Sequence, residues 1–186
     1  MQLSTVNVVA SFNLGVELKL QDIHASNIAY SRYDPKRFTG LTLKQVRPRT
    51  SVLLFSTGKA IILGAKSEKE ALFGARKAAR LLRSLDKNYL GCKVNDFNVK
   101  NVVVTARLPY KINLYDLARS YPREAVYEPE LFMALIFKLK QPSGKAIVFE
   151  KGIINIVGIN NEVDAQSAAY DVQRIIANHK KRSVVQ

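Results

Sequence analysis

Short runs of β-branched and aliphatic residues, interrupted by tight-turn signals, fill most of this chain. Residues 4–12 (STVNVVASF) are rich in β-branched side chains and predict a strand. A short helical segment is expected at about 17–25, with Leu18, Leu20 and Ile23 on its apolar side. Residues 27–33 should be extended, and Asp34-Pro35 should turn, because the residue before a proline is pushed out of the helical region. Three more strands, FTGLTLKQV (38–46), TSVLLFS (50–56) and KAIILGA (59–65), are separated by the Arg47-Pro48 and Thr57-Gly58 turns. That spacing predicts an antiparallel meander. Ser67 followed by Glu70 matches a capping box and opens a helix running to about Leu85. Ala71, Ala75, Ala78, Leu82 and Leu85 form its apolar stripe. Its other side carries Lys69, Arg76, Lys77, Arg80 and Arg83, which reads either as a solvated face or as a docking face for an acidic partner.

The same order then returns: a strand at about 97–106, a helix at about 113–120, a turn at Glu128-Pro129, strands at about 132–140, 144–149 and 152–158, and a helix over 162–179. Identical residues recur 94 positions apart: Asn7 and Asn101, Tyr33 and Tyr127, Pro35 and Pro129, Phe38 and Phe132, Pro48 and Pro142, Phe55 and Phe149, Gly58 and Gly152, Gly64 and Gly158. One structural unit is written twice. The expected class is α+β, with a first repeat over 1–91 and a second over 92–186. The linker near 86–92 is short, so the repeats should pack as one domain.

Side chains alternate along a strand, so residues two apart share a face. The parity of Phe55 collects Arg49, Ser51, Leu53, Lys59, Ile61 and Leu63, while Val52, Leu54, Ala60 and Ile62 take the opposite face and suit a core under helices. One sheet face is then apolar in its middle and basic at its margins. An uncovered face of that kind needs an occupant, and apolar contacts flanked by cations suit the minor groove of a duplex. A phenyl ring can enter between base pairs and kink the helix, although a strand phenylalanine is more often core.

Composition sharpens this. The 186 residues include 29 Lys and Arg against 15 Asp and Glu, a formal net charge of +14, with 47% hydrophobic residues. Such a charge points first to nucleic acid and second to an anionic membrane, but no apolar run reaches the roughly 20 residues that span a bilayer. No secretory signal is visible at the N-terminus. The single cysteine, Cys92, precludes an internal disulfide and fits a structural thiol. Lys180-Lys181-Arg182 reads equally as a nuclear-import or phosphate patch and as a solvated end.

Several stretches together resemble the TATA-box-binding protein family: Asn7-Val8-Val9, Asp34-Pro35-Lys36-Arg37-Phe38, Arg47-Pro48-Arg49-Thr50, Phe55-Ser56-Thr57-Gly58-Lys59, Gly64-Ala65-Lys66-Ser67-Glu68, Ala75-Arg76-Lys77-Ala78-Ala79-Arg80 and Tyr127-Glu128-Pro129-Glu130-Leu131-Phe132. The resemblance covers about residues 4–180. It implies a saddle, with a curved antiparallel sheet below and helices on the convex top. It further implies a nuclear transcription initiation factor that bends promoter DNA in the minor groove. On that resemblance Phe38, Phe55, Phe132 and Phe149 are the intercalating wedges. Asn7, Asn101, Val9, Val103, Leu63 and Val157 fall at the base contacts, and Arg37, Lys44, Arg49, Lys59 and Lys138 at the phosphate contacts. Glu128, Glu130 and Leu131 match the second stirrup, offered to transcription factor IIB. Factor IIA is the other implied partner, at a first stirrup where Arg32 replaces the family's usual acidic residue.

The departures matter. Leu63 and Val157 stand where the family usually has threonine, Ser143 replaces an arginine, Ile153 a lysine, and Met133 the proline after the third phenylalanine. Lys145, Lys151 and Asn155 are added on the expected DNA side. A divergent orthologue or a related paralogue fits these changes. A scaffold that keeps the fold but has relaxed DNA specificity is the alternative. An enzyme is not expected: the sequence has no metal-ligand cluster, nucleophile triad or phosphate-binding glycine loop, and no cofactor is called for. A homodimer of the free chain, covering the apolar face, is a further reading.

Overall fold

The computed structural model describes residues 1–26 and 28–181. Asn27 and Arg182, the latter part of the basic tail patch, lie outside the described residues. The elements run β1 (Gln2–Asn13), α1 (Leu20–Ala25), β2 (Ser31–Asp34), β3 (Phe38–Gln45), β4 (Thr50–Leu54), β5 (Lys59–Ala65), α2 (Glu68–Leu85), β6 (Asn95–Arg107), α3 (Leu114–Ser120), β7 (Ala125–Val126), β8 (Leu135–Leu139), β9 (Gly144–Val148), β10 (Ile153–Ile159) and α4 (Glu162–Ile176). Two compact units result, one of Asn7–Lys100, the other of Met1–Val6 with the chain from Asn101 onward.

In the first unit the strands are ordered β2-β3-β4-β5-β1, each antiparallel to its neighbour. Alternation along these strands places Val8, Ala10, Phe12, Leu41, Leu43, Val52, Leu54, Ala60 and Ile62 on one face, where all are buried. Helix α2 covers β4 and β5, and α1 covers β2 and β3. Ser67 caps α2 as expected, its Oγ accepting from the Glu70 N–H at 3.1 Å. The Glu70 carboxylate reaches one residue further back than in a standard capping box, accepting from the Lys66 N–H at 2.6 Å. The helix comes close to the sheet at Gly74. A Cβ there would stand 2.6 Å from Ile62 Cδ1, and buried Gln45 donates to the Gly74 carbonyl at 3.0 Å.

The second unit orders its strands β6-β10-β9-β8-β7 and repeats the pattern. Val102, Val104, Ala106, Leu135, Phe137, Ala146, Val148, Ile154 and Ile156 are buried on one face, and α4 packs on β10. Asn161 caps α4 and Asn113 caps α3, each side chain accepting a backbone N–H three residues on.

Three local expectations change. Leu18 is buried but precedes α1, because its N–H is held by the Ser56 carbonyl at 2.8 Å. The segment expected to be extended before Asp34 is a strand only from Ser31. Phe132 lies in a turn ahead of β8, not on the strand, since the Glu128 carbonyl accepts from Leu131 at 3.0 Å and from Phe132 at 2.9 Å. Cys92 is buried and free, and burial pushes its thiol pKa up.

Candidate nucleic-acid interface

Each unit leaves one sheet face without a helix over it. In the first unit the register aligns Ser11, Ile61, Leu53 and Thr42 across β1, β5, β4 and β3, and aligns Leu63, Ser51 and Lys44 beside them. These positions alternate with the buried ones. Val9, Ser51, Leu53, Ile61 and Leu63 are half-buried, and Lys44, Arg49 and Lys59 at the margins are exposed. The second unit gives the corresponding row of Thr105, Asn155, Ile147 and Ile136, with Val157, Lys145 and Lys138 beside it. Val103 and Val157 are half-buried there, and Lys138 and Lys145 exposed. Among the described residues Lys44, Arg49, Lys59 and Lys138 are in no ion pair, while Arg37 meets Asp34 at 3.7 Å. Exposed cations of this kind carry most of their charge outward.

None of the four sequence-predicted wedges belongs to the core. Phe38 is 42% exposed and Phe132 43%, and Phe55 and Phe149 are half-buried. The rings meet in edge-to-face pairs, Phe38 with Phe55 at 5.8 Å and Phe132 with Phe149 at 6.5 Å between centroids. Such a pair holds its geometry through the ring quadrupoles. Gly40 is what the sequence reasoning missed. A Cβ at Gly40 would stand 2.6 Å from Phe38 Cε1 and 3.1 Å from Phe55 Cε1, so both rings rest on bare backbone. A glycine inside a strand pattern, two residues from an aromatic on the same face, was the available signal. The repeat-related position is Ala134, where the ring pair is wider.

The two asparagines are oriented by backbone. Gly64 donates its N–H to Asn7 Oδ1 at 2.8 Å, and Gly158 donates to Asn101 Oδ1 at 2.9 Å. A donor on the oxygen side fixes which way each amide faces. The oxygen is occupied, and neither Nδ2 has an acceptor among the described residues. Bulges make this possible. The β1–β5 register slips between Val8 and Ala10, and the β10–β6 register between Ile156 and Ile159, next to Gly64 at φ +93° and Gly158 at φ +83°. That conformation is cheap only for glycine.

At the remaining predicted positions, Glu128, Glu130 and Leu131 form an exposed turn, with Leu131 81% exposed and Met133 beside it at 73%. Arg32 is exposed on β2. The two histidines are hydrogen-bonded within the fold, His24 to Ser31 at 3.2 Å and His179 to Asp116 at 2.7 Å. Among the described residues no group of three or more His, Cys, Asp or Glu is placed to hold a metal ion, and no helix is long and apolar enough to cross a membrane.

These features define a class: a two-repeat α+β protein whose uncovered sheet faces carry oriented amides, exposed aromatic pairs and a cationic rim. The family model described as Transcription factor TFIID (or TATA-binding protein, TBP) matches residues 2–85 and 96–179, and the chain belongs to that family. It is 35% identical to the TATA-box-binding protein of Caenorhabditis elegans over 94% of this chain and 50% of that protein. It is 33% identical to the TBP-related factor of Drosophila melanogaster over 94% of this chain and 76% of that protein. Identity to TATA box-binding protein-like 2 of Rattus norvegicus is 36%, over 94% of this chain and 50% of that one. The chain thus spans about half the length of two of these curated relatives. Among solved structures, Methanococcus jannaschii TBP superposes with a TM-score of 0.80 at 30% identity, over 96% of this chain and 99% of that one.

Proposed function

We propose that this chain is a nuclear transcription initiation factor that binds promoter DNA in the minor groove, kinks it with its phenylalanine pairs and nucleates assembly of the initiation complex. The observation that carries this reading is the pair of backbone-oriented amides, Asn7 and Asn101, on the same uncovered faces as the exposed rings. The minor-groove edge of an A·T pair offers only the acceptors adenine N3 and thymine O2, which an outward NH2 group satisfies. Val9, Val103, Leu63 and Val157 give the apolar contact around those donors. TATA-box-binding proteins are among the established cases of apolar side chains wedged between base steps, and that precedent is the basis for the wedge role here. Arg37, Lys44, Arg49, Lys59 and Lys138 are the phosphate contacts. The exposed Glu128, Glu130 and Leu131 turn is the surface for a IIB-like factor, and the β2 edge with Arg32 the surface for a IIA-like one.

Fluorescence energy transfer across a doubly labelled TATA duplex, with a GC-rich control, tests this at about 50 and 200 mM salt. We expect bending that prefers TATA. If all five cations contact phosphate, the log–log salt slope should be about −4 to −5. Binding to neither duplex would overturn the proposal.

A second reading is favoured by Leu63 and Val157, which replace hydroxyls that would assist the asparagines. In it the chain holds transcription factors away from promoters. Salt-sensitive binding without bending or sequence preference would select that reading.

A further inference from the structure

The uncovered faces of the two units correspond at an offset of 94 residues, and one of the differences between them places an amide where the first unit has an apolar side chain. In the first unit Ser11, Ile61 and Leu53 lie side by side in register, and in the second the positions 94 residues on are Thr105, Asn155 and Ile147. An apolar side chain at the middle of the row is therefore replaced by an amide. That amide is not loose. Thr105 Oγ1 donates to Asn155 Oδ1 at 2.8 Å across the β6–β10 ladder. Both residues are half-buried, and Asn155 is flanked on its other side by Ile147. With its oxygen engaged, Asn155 is left with an Nδ2 group that has no acceptor among the described residues, on the same face as Asn101 and its outward amide. The second unit thus presents Asn155 beside Asn101, where the first has Ile61 beside Asn7.

We infer that Asn155, positioned by Thr105, is a third base-reading donor, making the second unit the more selective of the two for minor-groove acceptors. The inference rests on the minor-groove reading proposed above. Ile61 meets a base edge by shape alone. Asn155 requires an acceptor, which adenine N3 or thymine O2 supplies, and it meets the guanine N2 amino group donor to donor. Lys145 and Lys138, exposed and in register on β9 and β8, stand on the same face to meet the phosphates of that stretch. Thr105 acts through Asn155 as a positioning residue.

The test is an acceptor-deletion scan of the chain on a TATA duplex, replacing adenines one at a time by 3-deazaadenine, which keeps the shape and removes N3, and thymines one at a time by an analogue that lacks the O2 acceptor. We expect sensitive positions, each weakening binding by about three- to tenfold, the range of one net hydrogen bond. In Asn155→Val, which keeps a β-compatible side chain but removes the amide, one of those positions should become silent while the others persist. Thr105→Val should blunt the same position, and Ile61→Asn should create a new one. Circular dichroism and melting temperature confirm that each variant is folded. A scan of Asn155→Val that superimposes on the unaltered chain overturns this inference and leaves the minor-groove reading intact. Failure of the unaltered chain to bind any duplex overturns both.

Discussion

Phe132→Ala separates a wedge from a core residue. The ring is 43% exposed and its principal aromatic partner is Phe149, 6.5 Å away. Full burial of a phenylalanine contributes about 1.5–3 kcal/mol, so a ring a little over half buried contributes roughly 0.9–1.7 kcal/mol. Loss of the edge-to-face pair adds about 0.5–1.5 kcal/mol. The expected destabilisation is therefore roughly 1.5–3 kcal/mol, within the 5–15 kcal/mol typical of a domain, and the variant stays folded. Phe137 makes the control. It is 5% exposed and packs on Tyr121, so Phe137→Ala should cost about 3–5 kcal/mol through cavity formation. The effects on DNA should run the other way. Unstacking a base step costs a few kcal/mol, and without the ring nothing fills the opened step. Urea melts and energy transfer on a labelled duplex are the assays. We expect Phe132→Ala to reduce bending sharply with a modest shift in midpoint, and Phe137→Ala to shift the midpoint strongly while bending persists in the folded fraction. Unchanged bending by Phe132→Ala, with affinity within twofold, would refute the assignment of that ring as a wedge.

Asn7→Asp keeps an acceptor for the Gly64 N–H but turns a donor surface into an anionic one, so we expect near-unchanged melting and at least about tenfold weaker duplex binding, measured by titration. Gly74→Ala gains about 1 kcal/mol in helix propensity but forces a Cβ to 2.6 Å from buried Ile62 Cδ1 and 3.1 Å from Thr50 Oγ1, an overpacking cost of about 1–3 kcal/mol. We expect a net loss of up to about 2 kcal/mol, and a raised melting temperature would contradict the close approach of α2. Burial raises the Cys92 pKa above its unfolded value, so its contribution is present below about pH 8.5 and is lost as pH rises through the folded value. Stability should then fall more steeply between about pH 8 and 10 in the native chain than in Cys92→Ala, by chemical denaturation.

The sequence by itself determined the repeat, the meander and the helices that cover it. These depend on local period and turn chemistry: alternation from Thr50 to Leu54, the Ser67 cap on α2, and identities recurring at a constant offset such as Asn7 and Asn101. Parity alone assigned Val52, Leu54, Ala60 and Ile62 to the covered face, since every second residue shares a side. Whether a strand phenylalanine is core or wedge is not local information. Phe12, Phe38 and Phe137 are the same side chain in similar strands, and only the placement of α1, α2 and their counterparts decides that Phe12 and Phe137 are buried while Phe38 is 42% exposed. Phe132 sits in a turn because the Glu128 carbonyl captures two N–H groups, a competition between hydrogen-bond partners that residue pattern does not rank. The direction of the Asn7, Asn101 and Asn155 amides depends on donors 57 and 50 residues away, and Gly40 matters only because two rings converge on it. Chemistry that depends on which way an amide points, or on what a ring rests against, is fixed by long-range packing and bulged registers, so it became readable only with the chain folded.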